Sequence, residues 1–185
     1  DSQIAQGYNY YNNQVKFNYN VDYNPRTMVG DDPNNSNERI YGNNDIMGPD
    51  AMHGTHVAGI IAADRANKLG IMGVADNVWV MGVRNTPNGD ERDKDVANSI
   101  RYAADNGAKV INMSFGKSFS WDKKVVDEAV KYAVSKDVLL VHAAGNDNKD
   151  LEVENNFPTN KYLDGTFASS WITVCLLYTS DAADE

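Results

Sequence analysis

Val138-Leu139-Leu140-Val141-His142-Ala143-Ala144-Gly145-Asn146 is a short apolar run that stops abruptly on glycine and asparagine. Its apolar residues do not alternate with polar ones, the pattern of a strand buried on both faces. Upstream, Lys109-Val110-Ile111-Asn112-Met113-Ser114-Phe115 reads as another strand, closed by Gly116. Between the two, Asp122 is placed to start a helix whose Val126, Ala129, Val130, Ala133 and Val134 line one face. An earlier helix follows the charged loop Asp90 to Asp95. It carries Val96, Ile100, Ala103 and Ala104 on one face, and Asn106-Gly107 stops it. Val78-Trp79-Val80-Met81-Gly82-Val83 and Trp171-Ile172-Thr173-Val174 are expected to be further strands. Strands and helices alternating in units of roughly 30 residues imply crossovers and a parallel sheet. The expected fold class is α/β, a three-layer doubly wound mostly parallel sheet. Such sheets bind ligands beyond the carboxyl ends of their strands. Ser114-Phe115-Gly116 and Gly145-Asn146 both sit at such ends. A dinucleotide site is disfavoured, because no Gly-x-Gly-x-x-Gly follows a strand.

Further upstream, His53-Gly54-Thr55-His56-Val57-Ala58-Gly59 runs on into Ile60-Ile61-Ala62-Ala63. A polar turn feeds an apolar helix, expected to reach about Ala66. Gly70-Ile71-Met72-Gly73-Val74-Ala75 follows as a glycine-punctuated turn. This places His53 at a helix mouth with its ring facing solvent. Val57, Ile60 and Ile61 are expected to anchor the helix in a core, and Gly59 to let another element pack closely. His53 has three readings on its residues alone. It is a structural histidine, a metal ligand with His56, or a proton shuttle near neutral pH. Zinc helices space their histidines four apart with a glutamate between, whereas His53 and His56 are three apart with none.

The chain of 185 residues is long enough for one sizeable core. Its net charge of -9 argues against nucleic acid as a partner, since phosphate binding needs basic surface. No stretch approaches the roughly 20 apolar residues of a membrane span. The chain has neither an initiating methionine nor a signal-like segment at Asp1. It is therefore expected to begin inside a longer protein. Residues 1–50 form an Asn- and Tyr-rich insert or loop region with little helical period. Within it Val15 to Val21 alternates as a short strand would, and Asp31 to Asn37 is a loop by its turn chemistry. Those Asp and Asn residues lack the Asp-x-Asp-x-Asp-Gly spacing of a calcium loop, so a solvated loop is expected. The last eleven residues, Cys175 to Glu185, resemble a translated sequencing adapter. The authentic chain is expected to stop near Val174. It then has a net charge of -6, since Asp181, Asp184 and Glu185 drop out, and no cysteine for disulfides or thiol catalysis.

Three ordered motifs together resemble the subtilisin-like serine proteases (peptidase S8, subtilases), of bacterial type, over about His53 to Val174. His53 to Gly59 is similar to the family's histidine motif, and Met72-Gly73-Val74-Ala75 to the turn after it. Ala144-Gly145-Asn146 resembles the oxyanion-hole motif. By itself Asn146 reads as a turn residue sooner than as an amide donor. The resemblance implies that His53 and Asn146 are catalytic. It implies that Ser114, Phe115 and Gly116 form an edge that pairs with extended substrate backbone. Ala143, Ala144 and Gly145 then line the pocket for the residue before the scissile bond. Ser114 itself sits in a strand rather than on a catalytic elbow. The implied activity is serine endopeptidase, acting on protein or peptide substrates. The implied location is secreted, periplasmic or cell-surface in a bacterium. No cofactor or metal is implied for the reaction, and calcium is left open in an intact enzyme, as is the oligomeric state.

The departures from the family are as informative. Its aspartate lies in Asp-Ser/Thr-Gly; Asp1-Ser2-Gln3 begins like it but has no glycine. Its nucleophile lies in Gly-Thr-Ser-Met-Ala. Gly165-Thr166-Phe167-Ala168 has phenylalanine where serine is needed. Residues 51–174 therefore read as a partial peptidase domain, truncated at both ends and followed by the tail 175–185. The expectation is an inactive piece whose serine lies beyond Val174. Two rivals remain: a degenerate family member that grips peptides without cutting, and a metal hydrolase using His53 and His56.

Overall fold

The computed structural model describes residues 2–175 apart from 21, 49, 88 and 90. Asp1, Pro49, Asp90 and the tail from 176 onward lie outside the described residues. The elements in chain order are α1 (Ser2–Asn13), a π-helical turn (Gln14–Asn18), α2 (Arg26–Val29), α3 (Met52–Ala62), α4 (Asp93–Asp105), β1 (Val110–Met113), α5 (Lys123–Ser135), β2 (Leu139–Ala143) and β3 (Trp171–Val174). Contacts divide the chain into two compact units, Asn43–Arg84 and the remainder.

The larger unit holds a three-stranded sheet in the order β1-β2-β3, both pairs parallel. Ile111 stands opposite Leu140 and Met113 opposite His142, while Leu140 faces Trp171 and His142 faces Thr173. Side chains alternate across a strand, so Ile111, Met113, Leu140, His142 and Trp171 share one face. Helices α4 and α5 cover it. Val96, Ala97 and Ile100 from α4 and Val126, Ala129, Val130 and Ala133 from α5 join Met113 and Leu140 in one core. Ala97, Ala129 and Ala133 are fully buried, small residues that let the helices approach closely. On the opposite face Val110, Ile172 and Val174 are about half exposed. The architecture is α/β, with α5 the helical crossover between parallel strands, and two of its layers lie within this unit.

Local signals explain where the helices start and stop. Asp122 caps α5, its carboxylate accepting from the Val125 backbone N–H at 3.4 Å. Past α4 the chain turns through Gly107 at φ +89°, and the Ala108 N–H returns to the Ala103 carbonyl at 3.0 Å. Other expectations are corrected. Residues 2–13 are helical, and the expected strand from Val15 is instead a π-helical turn, closed by Tyr19 N–H to the Gln14 carbonyl at 2.9 Å. Val78 to Val83 forms no strand: it finds no ladder partner among the described residues, and Trp79 is fully exposed. Alternation and apolar runs nominate strands, but only a neighbour's hydrogen bonds make one.

In the unit Asn43–Arg84, helix α3 ends at Ala62 rather than near Ala66 and buries no residue fully. Val57 and Ile61 are half-buried, and Ile60 is exposed. The close approach lies at Gly73 and not at Gly59. A Cβ on Gly73 would stand 2.3 Å from the Ala63 nitrogen, whereas nothing lies within 4 Å of one on Gly59. The turn Gly73–Ala75 donates to the carbonyls of Ala63, Ile60 and Ile61 at 2.8–3.0 Å and so caps the end of α3.

The N-terminal stretch is bound to α4 by buried charge. Asp31, expected in a solvated loop, has a fully buried side chain paired with Arg26 at 2.8 Å and with Lys94. Arg26 also reaches Asp95 at 2.8 Å, and Lys94 reaches Glu38 at 2.8 Å. Tyr41 donates to Asp95 at 2.6 Å and accepts from Asn98 at 3.0 Å. Burial, and then the Asp95 carboxylate, push the Tyr41 phenol well above its usual range. Removing one member of such a cluster strands the others' charge out of water. Asp31→Ala is expected to lower the unfolding free energy in a urea melt by about 3–5 kcal/mol. Lys131→Ala, which breaks the half-exposed pair with Asp164, is expected to cost less than about 1 kcal/mol.

Candidate functional site

The ladder between β1 and β2 ends at Met113 opposite His142. Ser114–Gly116 therefore leave β1 beside Ala143, the last residue of β2 and the partner of Val174, and Ala144–Asn146 follow it at the same carboxyl edge. Ser114, Phe115, Ala143 and Ala144 are half-buried, while Gly116, Gly145 and Asn146 are exposed. The Ser114 hydroxyl accepts from the Asn112 side chain at 2.8 Å. Gly145 has φ +97°, a conformation that favours glycine. That turn carries Asn146 out of the strand direction and into solvent.

Between these two segments stands Asn156, which sequence reasoning missed. Its side-chain amide donates to the Ala143 carbonyl at 2.9 Å. A Cβ on Gly116 would lie 2.4 Å from its Oδ1, and one on Gly145 would lie 3.4 Å from its Nδ2. Asn156 is brought there by the segment that follows. Phe157 pairs antiparallel with Lys117, through bonds of 2.8 and 3.2 Å, and precedes Pro158 in a cis peptide. The available signal was the pair of glycines at the ends of neighbouring strands, which together make room for a side chain from elsewhere.

The loop after Gly116 is fastened from beneath. Lys117 Nζ pairs with the buried Asp93 carboxylate at 2.8 Å and donates to the Glu91 carbonyl at 2.6 Å. The same Asp93 accepts from the Ser120 hydroxyl at 3.0 Å and from the Asp122 backbone N–H at 2.6 Å. One carboxylate in the first turn of α4 thus ties together the loop after β1 and the cap of α5.

His53 belongs to the other unit. It is the second residue of α3, exposed, with His56 exposed one turn later. Asp50 shapes the helix mouth by accepting from the Met52 N–H at 2.9 Å. Among the described residues, no group of three or more His, Cys, Asp or Glu side chains is placed to hold a metal ion. Gly165-Thr166-Phe167-Ala168 forms a tight turn, with Tyr162 N–H bonded to the Thr166 carbonyl at 2.8 Å and Phe167 exposed. It does not open a helix.

The sequence matches the subtilase family, peptidase S8, over residues 4–181. The chain belongs to that family. This subtilase is 44% identical over 103 residues to a thermophilic serine proteinase of Bacillus sp. strain AK1, covering 55% of this chain and 25% of that protein. It is 45% identical over 95 residues to thermitase of Thermoactinomyces vulgaris, covering 51% of this chain and 33% of thermitase. It therefore spans between a quarter and a third of these relatives' length. Among solved structures it is similar to the S41 psychrophilic protease, with TM-score 0.51 and 30% identity, over 65% of this chain and 38% of that one.

The wedge makes a measurable prediction. Asn156→Ala removes one side-chain hydrogen bond and is expected to lower stability by about 1 kcal/mol, with faster amide exchange at Gly116 and Gly145. Gly116→Ala must displace Asn156 to make room. In an Asn156→Ala background, Gly116→Ala is therefore expected to add little further loss, a non-additivity that urea melts of the double-mutant cycle read directly.

Proposed function

We propose that this chain is the histidine- and oxyanion-bearing part of a serine endopeptidase that hydrolyses peptide bonds with a Ser/His/Asp triad. The observation that carries the reading is that Ser114–Gly116 and Ala143–Gly145 run side by side at the carboxyl edge of the sheet, with Asn146 next in the chain, in a member of the subtilase family. Extended substrate backbone pairs along Ser114–Gly116. Ala143, Ala144 and Gly145 form the facing wall, and Asn156 stands between the two walls. Backbone pairing grips a peptide with little regard to its sequence.

In the reaction, His53 takes the proton of the attacking serine and returns it to the leaving amine. An aspartate orients the ring and favours its charged form. Asn146 donates to the carbonyl oxygen as it gains negative charge, so its bond strengthens between ground state and transition state. Serine and aspartate come from outside residues 2–174 in this reading, and the chemistry calls on side chains alone, with no cofactor. The substrates are proteins or peptides. The site of action is outside the bacterial cytoplasm, in the periplasm, at the cell surface or in the medium; a fractionation of the producing cells tests that.

Purified chain 1–185 is expected to give no burst with an active-site-titrating ester. A stoichiometric burst would overturn the assignment of the serine to a position beyond Val174. In an uninterrupted gene product that carries serine and aspartate, His53→Ala is expected to lower kcat by about 10⁶-fold. Asn146→Ala is expected to lower it by about 10²–10³-fold with KM little changed, the magnitude known for this donor in subtilisin itself. An Asn146→Ala enzyme within a few-fold of the parent would remove the oxyanion role.

A further inference from the structure

His142 is buried to 2% exposure in the central strand, on the face that α4 and α5 cover, and nothing in the proposed reaction uses it. Its ring lies between two others near the carboxyl edge of the sheet. Phe115 stands edge-on with its centroid 6.4 Å away, and Trp171 is tilted at 5.6 Å. The ring is also within hydrogen-bonding reach of the Phe115 backbone. Its Nε2 has no hydrogen-bond partner among the described residues. Phe115 is the middle residue of the Ser114–Gly116 edge, and His142 immediately precedes Ala143. One side chain therefore backs both walls of the groove.

A neutral imidazole suits this place and an imidazolium does not, because a charged ring would bury an N–H without an acceptor. Among the described residues, no charged side chain pairs with the ring to offset that cost. Strands β1 and β3 carry no ionisable side chain. On α5, Lys124, Glu128 and Lys131 are exposed, and Lys123 and Asp127 pair with each other at 2.5 Å. On α4, Asp93 pairs with Lys117, Lys94 with Glu38 and Asp95 with Arg26, each at 2.8 Å, Arg101 lies over the Tyr132 ring, and Asp105 is exposed. Burial pushes the His142 pKa down to about 4, with the Phe115 backbone pulling weakly upward. The folded-state value lies below the ordinary value of about 6.5. What the neutral ring contributes is therefore fully present above about pH 6.5 and fades as pH falls toward 4.

We propose that His142 is a positioning residue: wedged as a neutral ring between Phe115 and Trp171, it sets the edge Ser114–Gly116 against Ala143–Gly145, and gaining a proton releases that edge. Calling the edge substrate-binding rests on the peptidase reading, whereas the release itself is a property of this chain.

The test is a pH titration by NMR of the 185-residue chain. Its three histidine rings are told apart with His142→Phe, which keeps an aromatic ring and has no proton to gain. The expected result is a His142 ring that titrates near pH 4. The backbone amides of Phe115, Gly116 and Gly145 follow with the same midpoint, while those of α4 do not. In His142→Phe that midpoint disappears from the edge amides. If that variant does not fold, His142→Gln takes its place in the comparison. The proposal is overturned by a ring that titrates near 6.5, by edge amides whose acid midpoint survives in the variant, or by all amides moving together in global unfolding. None of these signals requires peptide hydrolysis, so the peptidase reading can fail without them, and they can fail without it.

Discussion

The register of β1 on β2 is the constraint from which the rest follows. In a parallel pair both strands point the same way, so the segments that leave them emerge at one edge. With Met113 opposite His142, Ser114–Gly116 emerge beside Ala143, and Ala144–Asn146 follow it at the same edge. A slip of one residue would exchange the faces of a strand. Asn112 would then turn toward α4 and α5, and Met113 would turn out to the open side. The core selects the register because Met113 and Leu140 are among its most deeply buried side chains. Burying a side chain of that size is worth roughly 1.5–3 kcal/mol, far more than a solvent-facing asparagine could return.

Register alone does not shape a groove. Two devices do so here, and both are polar. Asn156 holds the walls at a fixed separation by bonding one wall, at Ala143, while filling the space beside Gly116 on the other. Asp93 fastens the loop after β1 to the cap of α5, since its buried carboxylate gathers Lys117, Ser120 and the Asp122 backbone. A buried carboxylate is tolerable only when its lone pairs are matched by donors, and here three donors converge on it. Charge matching also joins the N-terminal stretch to α4, where Asp31 and Asp95 share Arg26. The rigid parts of this unit are therefore fixed by satisfied charge as much as by apolar area.

What the sequence made legible follows the same physics. The helix faces at Val96, Ile100 and Ala104 and at Val126, Ala129 and Val130 were readable because periodicity reports burial directly, and all six residues lie in the core. The cap at Asp122 and the stop at Asn106-Gly107 were readable because a short polar side chain or a glycine has few alternatives there. Three features escaped. Val78 to Val83 has strand composition but no partner, and pairing is a property of two segments rather than one. Asp31 looks like a loop residue because its partners Arg26 and Lys94 are invisible until the chain folds. Asn156 has no local pattern at all, its place being set by the return of Phe157 beside Lys117. Each miss turns on contacts, made at Asp31 and Asn156 and lacking at Val78 to Val83, that local pattern does not encode.

The two proposed catalytic groups sit on supports suited to different tasks. A donor to a developing oxyanion is useful only if it is already aimed, since reorganisation at the moment of reaction cancels its advantage. Asn146 follows strand β2 by way of a single glycine, Gly145, at φ +97°. A proton shuttle has the opposite need. It must reach two partners in turn and change charge without a desolvation penalty, which favours an exposed ring on a helix mouth. His53 is exposed in the first turn of α3. The buried His142 shows the contrast within one chain. The same imidazole placed in the core is held neutral by its surroundings and is suited to holding a position rather than to moving a proton.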